Sequence, residues 1–237
     1  MIPHTRQDPR IARTIGILFL VAMLAYGTGS GLVESVTGAP DVPARAPAHE
    51  TRIELGAVLM LVNSIVVAGI GVLLVPVLRG INSVVAYGYL AARIVEATLL
   101  AIGVTFLLLL PQLGSAESSA ATSAWQDGAA HLAITANDTA YQVAMLALAA
   151  GSVPLCILLL RARLVPRPLA AWGIAGYAIF LAGAVLELFD VRAGLLLSIP
   201  GGLFELALGL WLILRGFGHH TVPAPTGPPA SASVPRP

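Results

Sequence analysis

"YLAARIVEATLLAIG", residues 89–103, places an arginine and a glutamate three positions apart inside an apolar run. Residues three apart share a helix face and can touch. The run around them extends from about Ser83 to Leu110, longer than the ~20 residues that cross a hydrocarbon core. A charge at the bilayer centre costs roughly 2.5–3.5 kcal/mol on insertion scales. Pairing Arg93 with Glu96 lowers that cost without abolishing it, so their face must point at protein or water. The stretch reads as one member of a membrane helix bundle.

Composition agrees. Of 237 residues, 57% are hydrophobic and 11% charged, and mean hydropathy is +0.86. A soluble domain of this size carries far more surface charge. The net charge of +1 sets up no field toward nucleic acid, so a nucleic-acid partner is not expected. Every basic side chain is arginine, and alanine abounds, which fits a GC-rich bacterial genome and a plasma-membrane location. The single cysteine, Cys156 in "VPLCILLLR", forms no internal disulfide and reads as a small core or lipid-facing residue.

The expected fold is all-α, with six transmembrane spans: about Thr14–Val36, Ile53–Leu78, Ser83–Leu110, Ala140–Leu160, Leu169–Phe189 and Ala193–Leu214. The first competes with a signal-peptide reading, but it is long and lacks a clean cleavage site. Residues 1–13 read as an N-terminal tail, 14–215 as the membrane domain, and 216–237, rich in Pro and Ala, as an unfolded tail. In the long third loop, Trp125 reads either as the anchor of a short interfacial helix or as part of a disordered loop. Arginines set the orientation. With the N-terminus inside, Arg6, Arg10, Arg13, Arg79, Arg161, Arg163, Arg167, Arg215 and Arg236 are cytoplasmic, and only Arg45, Arg52 and Arg192 lie outside. Both termini are then expected in the cytoplasm.

Other spans carry polar groups at the depth of Arg93 and Glu96. Glu205 sits mid-way along the sixth, and Asn63, slightly further out, near the middle of the second. One reading makes this a packing device, an arginine tying helices together. The other notes one cation against two carboxylates: in low dielectric the excess negative charge draws a proton or a cationic ligand, making Glu96 or Glu205 a proton carrier or general acid. "SIPGG", Pro200 to Gly202, predicts a kink or break one turn before Glu205. Two three-helix halves of opposite orientation raise the idea of an inverted repeat, with slight sequence support. "GTGSG", Gly27 to Gly31, and the pair Gly173 and Gly176 supply small residues for close helix contact. Glu34, Glu54 and Glu187 fall at outer helix ends. No P-loop, HExxH, GxSxG or CxxC is present, and His131, His219 and His220 lack a third ligand, so neither cofactor nor metal is expected.

The chain resembles the bacterial DUF4386 family of polytopic membrane proteins over roughly residues 11–217. The stretches that carry the resemblance are "ARTIGILFLVAML", "ARIVEATLLAIG", "LLLRARLVPRPLAAWGIAGY" and "GGLFELALGLWLILRGF". Arg93 with Glu96, Glu205 before Trp211 and Arg215, and the Pro166–Arg167 turn are similar to that family's pattern. Arg163 and Ala170 stand where the family commonly has glycine. The resemblance implies a fold and no activity. Three functions stay open: binding or moving a small molecule, lipid or ion at Arg93, Glu96, Glu205 and Asn63; intramembrane acid–base catalysis by a glutamate on a hydrophobic substrate; or an accessory scaffold. The lipid bilayer is the expected partner, and a homo-oligomer is compatible with all three.

Overall fold

The computed structural model describes residues 9–114, 120–189 and 194–218, and all its regular elements there are helical. Six helices are long and apolar enough to cross a membrane. They are α1 (Pro9–Thr37), α3 (Glu50–Leu78), α4 (Ser83–Leu107), α6 (Ala120–Arg161), α7 (Arg167–Leu188) and α8 (Gly194–Leu214). Two short helices, α2 (Val42–Arg45) and α5 (Leu110–Leu113), and a 3-10 turn at Pro47–His49 lie in the connections. The helix boundaries follow local chemistry. Asn82 caps α4, its side chain accepting from the Val85 N–H at 3.1 Å. Pro166 precedes α7, and Pro168 stands in its first turn, where no N–H is needed. Arg163 takes φ 54, the left-handed region that glycine enters without strain.

The membrane helices pack in a closed cycle: α1 on α3, α3 on α4, α4 on α6, α6 on α7, α7 on α8, and α8 back on α1. In that order α4 stands opposite α8, and α1 opposite α6. Alternating direction leaves α1 starting and α8 ending at the same end of the bundle. There the Gly218 N–H donates to the Leu164 carbonyl at 2.7 Å, tying the last described residues to the α6–α7 turn. We call this the terminal end and the other the far end. The cycle rules out the inverted repeat. Turning a three-helix half over about an in-plane axis reverses its sense around the ring, and the second half continues in the same sense.

Small residues set how closely the helices approach. Gly29 and Gly56 face each other across α1 and α3, and a Cβ on either would stand 2.7 Å from the other's carbonyl oxygen. Gly27 and Gly31 meet nothing within 4 Å, so the contact in "GTGSG" is made by the glycine between them. On α7, Gly173 receives the Phe204 ring and the Cys156 thiol, and Gly176 lies against the Pro200 carbonyl. The helix α8 runs unbroken through Pro200, Gly201 and Gly202, so the expected break is absent.

Two apolar cores fill the bundle. The larger draws on all six membrane helices and runs from the terminal end past the middle, with Ile15, Leu78, Leu159, Leu164 and Leu212 essentially sealed. The smaller lies at the far end between α1, α3, α4, α5 and α6, centred on Val36, Ile53, Val104 and Leu110. The loop after α4 differs most from expectation. The helix α6 begins at Ala120 rather than near Ala140, and its 42 residues span about 63 Å. Trp125 is 64% exposed on this extension, not on a separate short helix. Gln126 pins it back, donating to the Leu113 carbonyl at 2.6 Å. Residues 1–8 and 219–237, including His219, His220, Arg6 and Arg236, lie outside the described residues, as does Arg192.

Candidate functional site

Arg93 leaves α4 on its inner face, between Tyr89 one turn before it and Glu96 one turn after. The guanidinium lies 1% exposed at the middle of the ring. Its Nε donates to the Tyr89 hydroxyl at 2.6 Å. Its Nη1 donates to both Glu96 carboxylate oxygens, at 3.2 and 2.9 Å. Its Nη2 crosses the ring to Glu205 Oε1 of α8 at 2.9 Å. The Tyr177 hydroxyl of α7 donates to that same oxygen at 2.6 Å. Aromatic faces complete the enclosure, with the guanidinium carbon 5.6 Å from the Phe19 ring centre and 5.2 Å from that of Tyr89. Gly71 of α3 makes room for the stem, since a Cβ there would lie 3.0 Å from Arg93 Cβ.

Sequence reasoning placed Arg93, Glu96 and Glu205 together, and the structure joins all three. Asn63 is elsewhere. It lies on α3 eight residues from Gly71, about 12 Å toward the far end by helical rise. It makes no side-chain hydrogen bond among the described residues, although only 5% exposed. Depth along the membrane, which suggested it, was a weaker guide than the α3 residue that touches Arg93. Tyr89, Tyr177 and Phe19 were missed because aromatics in an apolar run look like packing. The one available signal was that Tyr89 precedes Arg93 by four, on the same helix face. Glu34 and Glu54 are exposed and Glu187 half-buried at the far ends of their helices, as expected.

The cluster is unevenly sealed. Arg93 and Glu96 neutralise each other in a fully desolvated pair, with side chains 1% and 4% exposed. Glu205 carries the remaining negative charge, and a quarter of its side chain is accessible. Its Oε1 holds both hydrogen bonds, leaving Oε2 without one among the described residues. On α8, Leu196, Ile199, Leu203, Leu210 and Leu214 form the exposed stripe, while Gly201, Phe204, Leu208 and Leu212 are buried. At about 100° per residue Glu205 falls with the buried group, on the face of α8 turned to the bundle. One more polar atom belongs to this layer. The Ser152 hydroxyl is fully buried and has no hydrogen-bond partner among the described residues. Cys156 packs on Gly173 and Gly151 on Ala92, which sets Ser152 at the depth of Tyr177 and Arg93.

Among the described residues no group of three or more His, Cys, Asp or Glu is placed to hold a metal ion. The arrangement can present one accessible carboxylate oxygen, backed by a fixed ion pair, to a proton, a cation or a hydrogen-bond donor. Comparison with curated proteins yields no match, nor does comparison with solved structures. The model of the DUF4386 family, described as a domain of unknown function, matches residues 14–216. Membrane helices and charged cluster both fall inside that span, and the chain belongs to the DUF4386 family.

Proposed function

We propose that this protein is a binding protein or carrier in the bacterial plasma membrane whose ligand-facing group is Glu205, taking a small cation for which a proton competes. One observation carries the reading. The cluster holds one cation and two carboxylates, and Glu205, on the bundle-facing side of α8, is the accessible one of the two, at 25% against 4% for Glu96. Arg93 and Glu96 are sealed from water and hold each other through two hydrogen bonds, so they act as a fixed counter-ion platform and not as ligand groups. A purely structural cluster gains most from being neutral and dry, because desolvating an unbalanced charge costs several kcal/mol. The arginine distribution supports termini on the cytoplasmic side. Among the described residues Arg10, Arg13, Arg79, Arg161, Arg163, Arg167 and Arg215 gather at the terminal end, against Arg45 and Arg52 at the far end.

The test is ligand-dependent stability of the full chain in nanodiscs. Sodium, potassium and ethylammonium chlorides are titrated at constant ionic strength, and the unfolding midpoint is followed for wild type and Glu205→Gln. The amide still accepts from Arg93 and Tyr177, so the variant folds. At least one cation raises the wild-type midpoint, with about 2.7 kcal/mol of stabilisation at a hundredfold excess over Kd, and leaves the variant unmoved. An unchanged wild type, or a variant that responds equally, refutes the reading.

A further inference from the structure

The interior of the ring is chemically different above and below Arg93. On the terminal side it is closed by the larger apolar core, whose side chains there are Ile15, Leu74, Leu78, Leu159, Leu208 and Leu212. Toward the far end, past Leu100, Ala144 and Leu148, the apolar lining is interrupted by polar groups. Tyr26 of α1 and Tyr141 of α6 stack across the ring with centroids 5.6 Å apart and planes at 19°. Tyr141 neighbours Ala140, which packs on Gly103, ten residues and about 15 Å along α4 from Arg93. Asn63 sits near this level on the inner face of α3, nine-tenths buried and without a hydrogen-bond partner among the described residues. Both tyrosines are half-buried.

Acidic groups continue the path outward. Asp138 on α6 and Glu34 on α1 are exposed toward the far end. Glu187 stands half-buried near the far end of α7. The smaller apolar core covers the far end over α1, α3, α4, α5 and α6.

We infer that this tyrosine-lined, acidic interior is a vestibule through which a protonated amine reaches Glu205 from the far end alone, the Tyr26–Tyr141 stack standing across its path. The inference deepens the reading of Glu205 given above and rests on it. An amine suits the lining better than a hard metal ion, which needs six or more oxygens around it. Aromatic faces, an unpartnered amide and a carboxylate oxygen match N–H donors and a diffuse positive charge. The protein already holds its own guanidinium in such surroundings at Arg93.

The route is tested by cysteine accessibility in the full chain, in a Cys156→Ala background, from each face of oriented proteoliposomes. The probes are impermeant methanethiosulfonates, one bearing a trimethylammonium group and one a sulfonate. Asn63→Cys reacts from the far-end face only, at least tenfold faster with the cationic reagent. Ethylammonium slows it, and replacing Glu34 and Asp138 by amides narrows the ratio. Leu159→Cys, in the terminal core, stays unreactive from both faces until the protein is unfolded. Tyr141→Cys serves as a second reporter should Asn63→Cys fail to fold. Reaction from the terminal face, equal rates with both reagents, or silence at both reporters in folded protein overturns the inference. Should labelling follow the expected pattern while no cation stabilises the protein through Glu205, the vestibule stands and the Glu205 reading falls. Cation stabilisation with labelling from the terminal face does the reverse.

Discussion

Replacing Arg93 by lysine keeps the charge and removes the fork, which isolates what the planar guanidinium does. Three of its nitrogens each serve a different residue: Tyr89, Glu96 and Glu205. A lysine ammonium is a single point donor and cannot span from Glu96 on α4 to Glu205 on the opposite side of the ring. At least two interactions are lost, and hydrogen bonds to charged groups contribute about 1.5–3 kcal/mol each. One buried carboxylate is also left without its cation, and breaking a buried pair costs about 3–5 kcal/mol. These overlap, so we expect a loss of about 3–5 kcal/mol for Arg93→Lys. Reversible unfolding in mixed micelles, titrated with SDS against wild type, measures it. A loss below about 1 kcal/mol would mean that the guanidinium is not the tie between α4 and α8, and the platform argument would fail with it.

The two carboxylates respond unequally. Glu96→Gln destabilises more than Glu205→Gln in the same assay, by about 1–2 kcal/mol, because both oxygens of Glu96 engage Arg93 whereas Glu205 uses one; equal losses would contradict this. Gly29→Ala and Gly56→Ala each lower the thermal midpoint, since the added methyl meets a carbonyl 2.7 Å away. Gly27→Ala and Gly31→Ala, in open space, leave it unchanged or raise it by up to about 1 kcal/mol of helix propensity. Midpoints that fail to separate the two pairs would refute the assigned α1–α3 contact. Ser152→Ala, removing a buried hydroxyl with no hydrogen-bond partner among the described residues, raises the stability of the unliganded protein by about 1 kcal/mol or more, and a loss of stability would show that the hydroxyl is satisfied.

The six crossings were legible because hydropathy over twenty residues reports a lipid environment directly. Where a helix leaves lipid, that signal ends and the helix does not. The sequence before Ala140 is rich in alanine and small polar residues, reads as a loop, and forms the first five turns of α6. The pairing of Arg93 with Glu96 followed from spacing, and that with Glu205 from matched depth. Depth misled at Asn63, because two groups at similar height still need facing helix surfaces to meet. The return of α8 onto α1 has no counterpart in either segment alone. It depends on Gly16 and Gly209, where a Cβ on Gly16 would stand 2.5 Å from the Gly209 carbonyl oxygen. That complementarity appears only once the other four helices have set the curvature.

The ring also has a biosynthetic order built into it. Arg93 enters the bilayer with Glu96 already beside it, but its other carboxylate emerges 112 residues later. Until the last helix is made, α1 and α7 have an open seam between them, and the Tyr177 hydroxyl has no acceptor on α8. A nascent chain stopped before α8 is thus marked by an incompletely solvated guanidinium within the membrane. That defect is one that membrane quality-control proteases, which act on loosely assembled segments, are suited to detect, and completion of the final helix erases it.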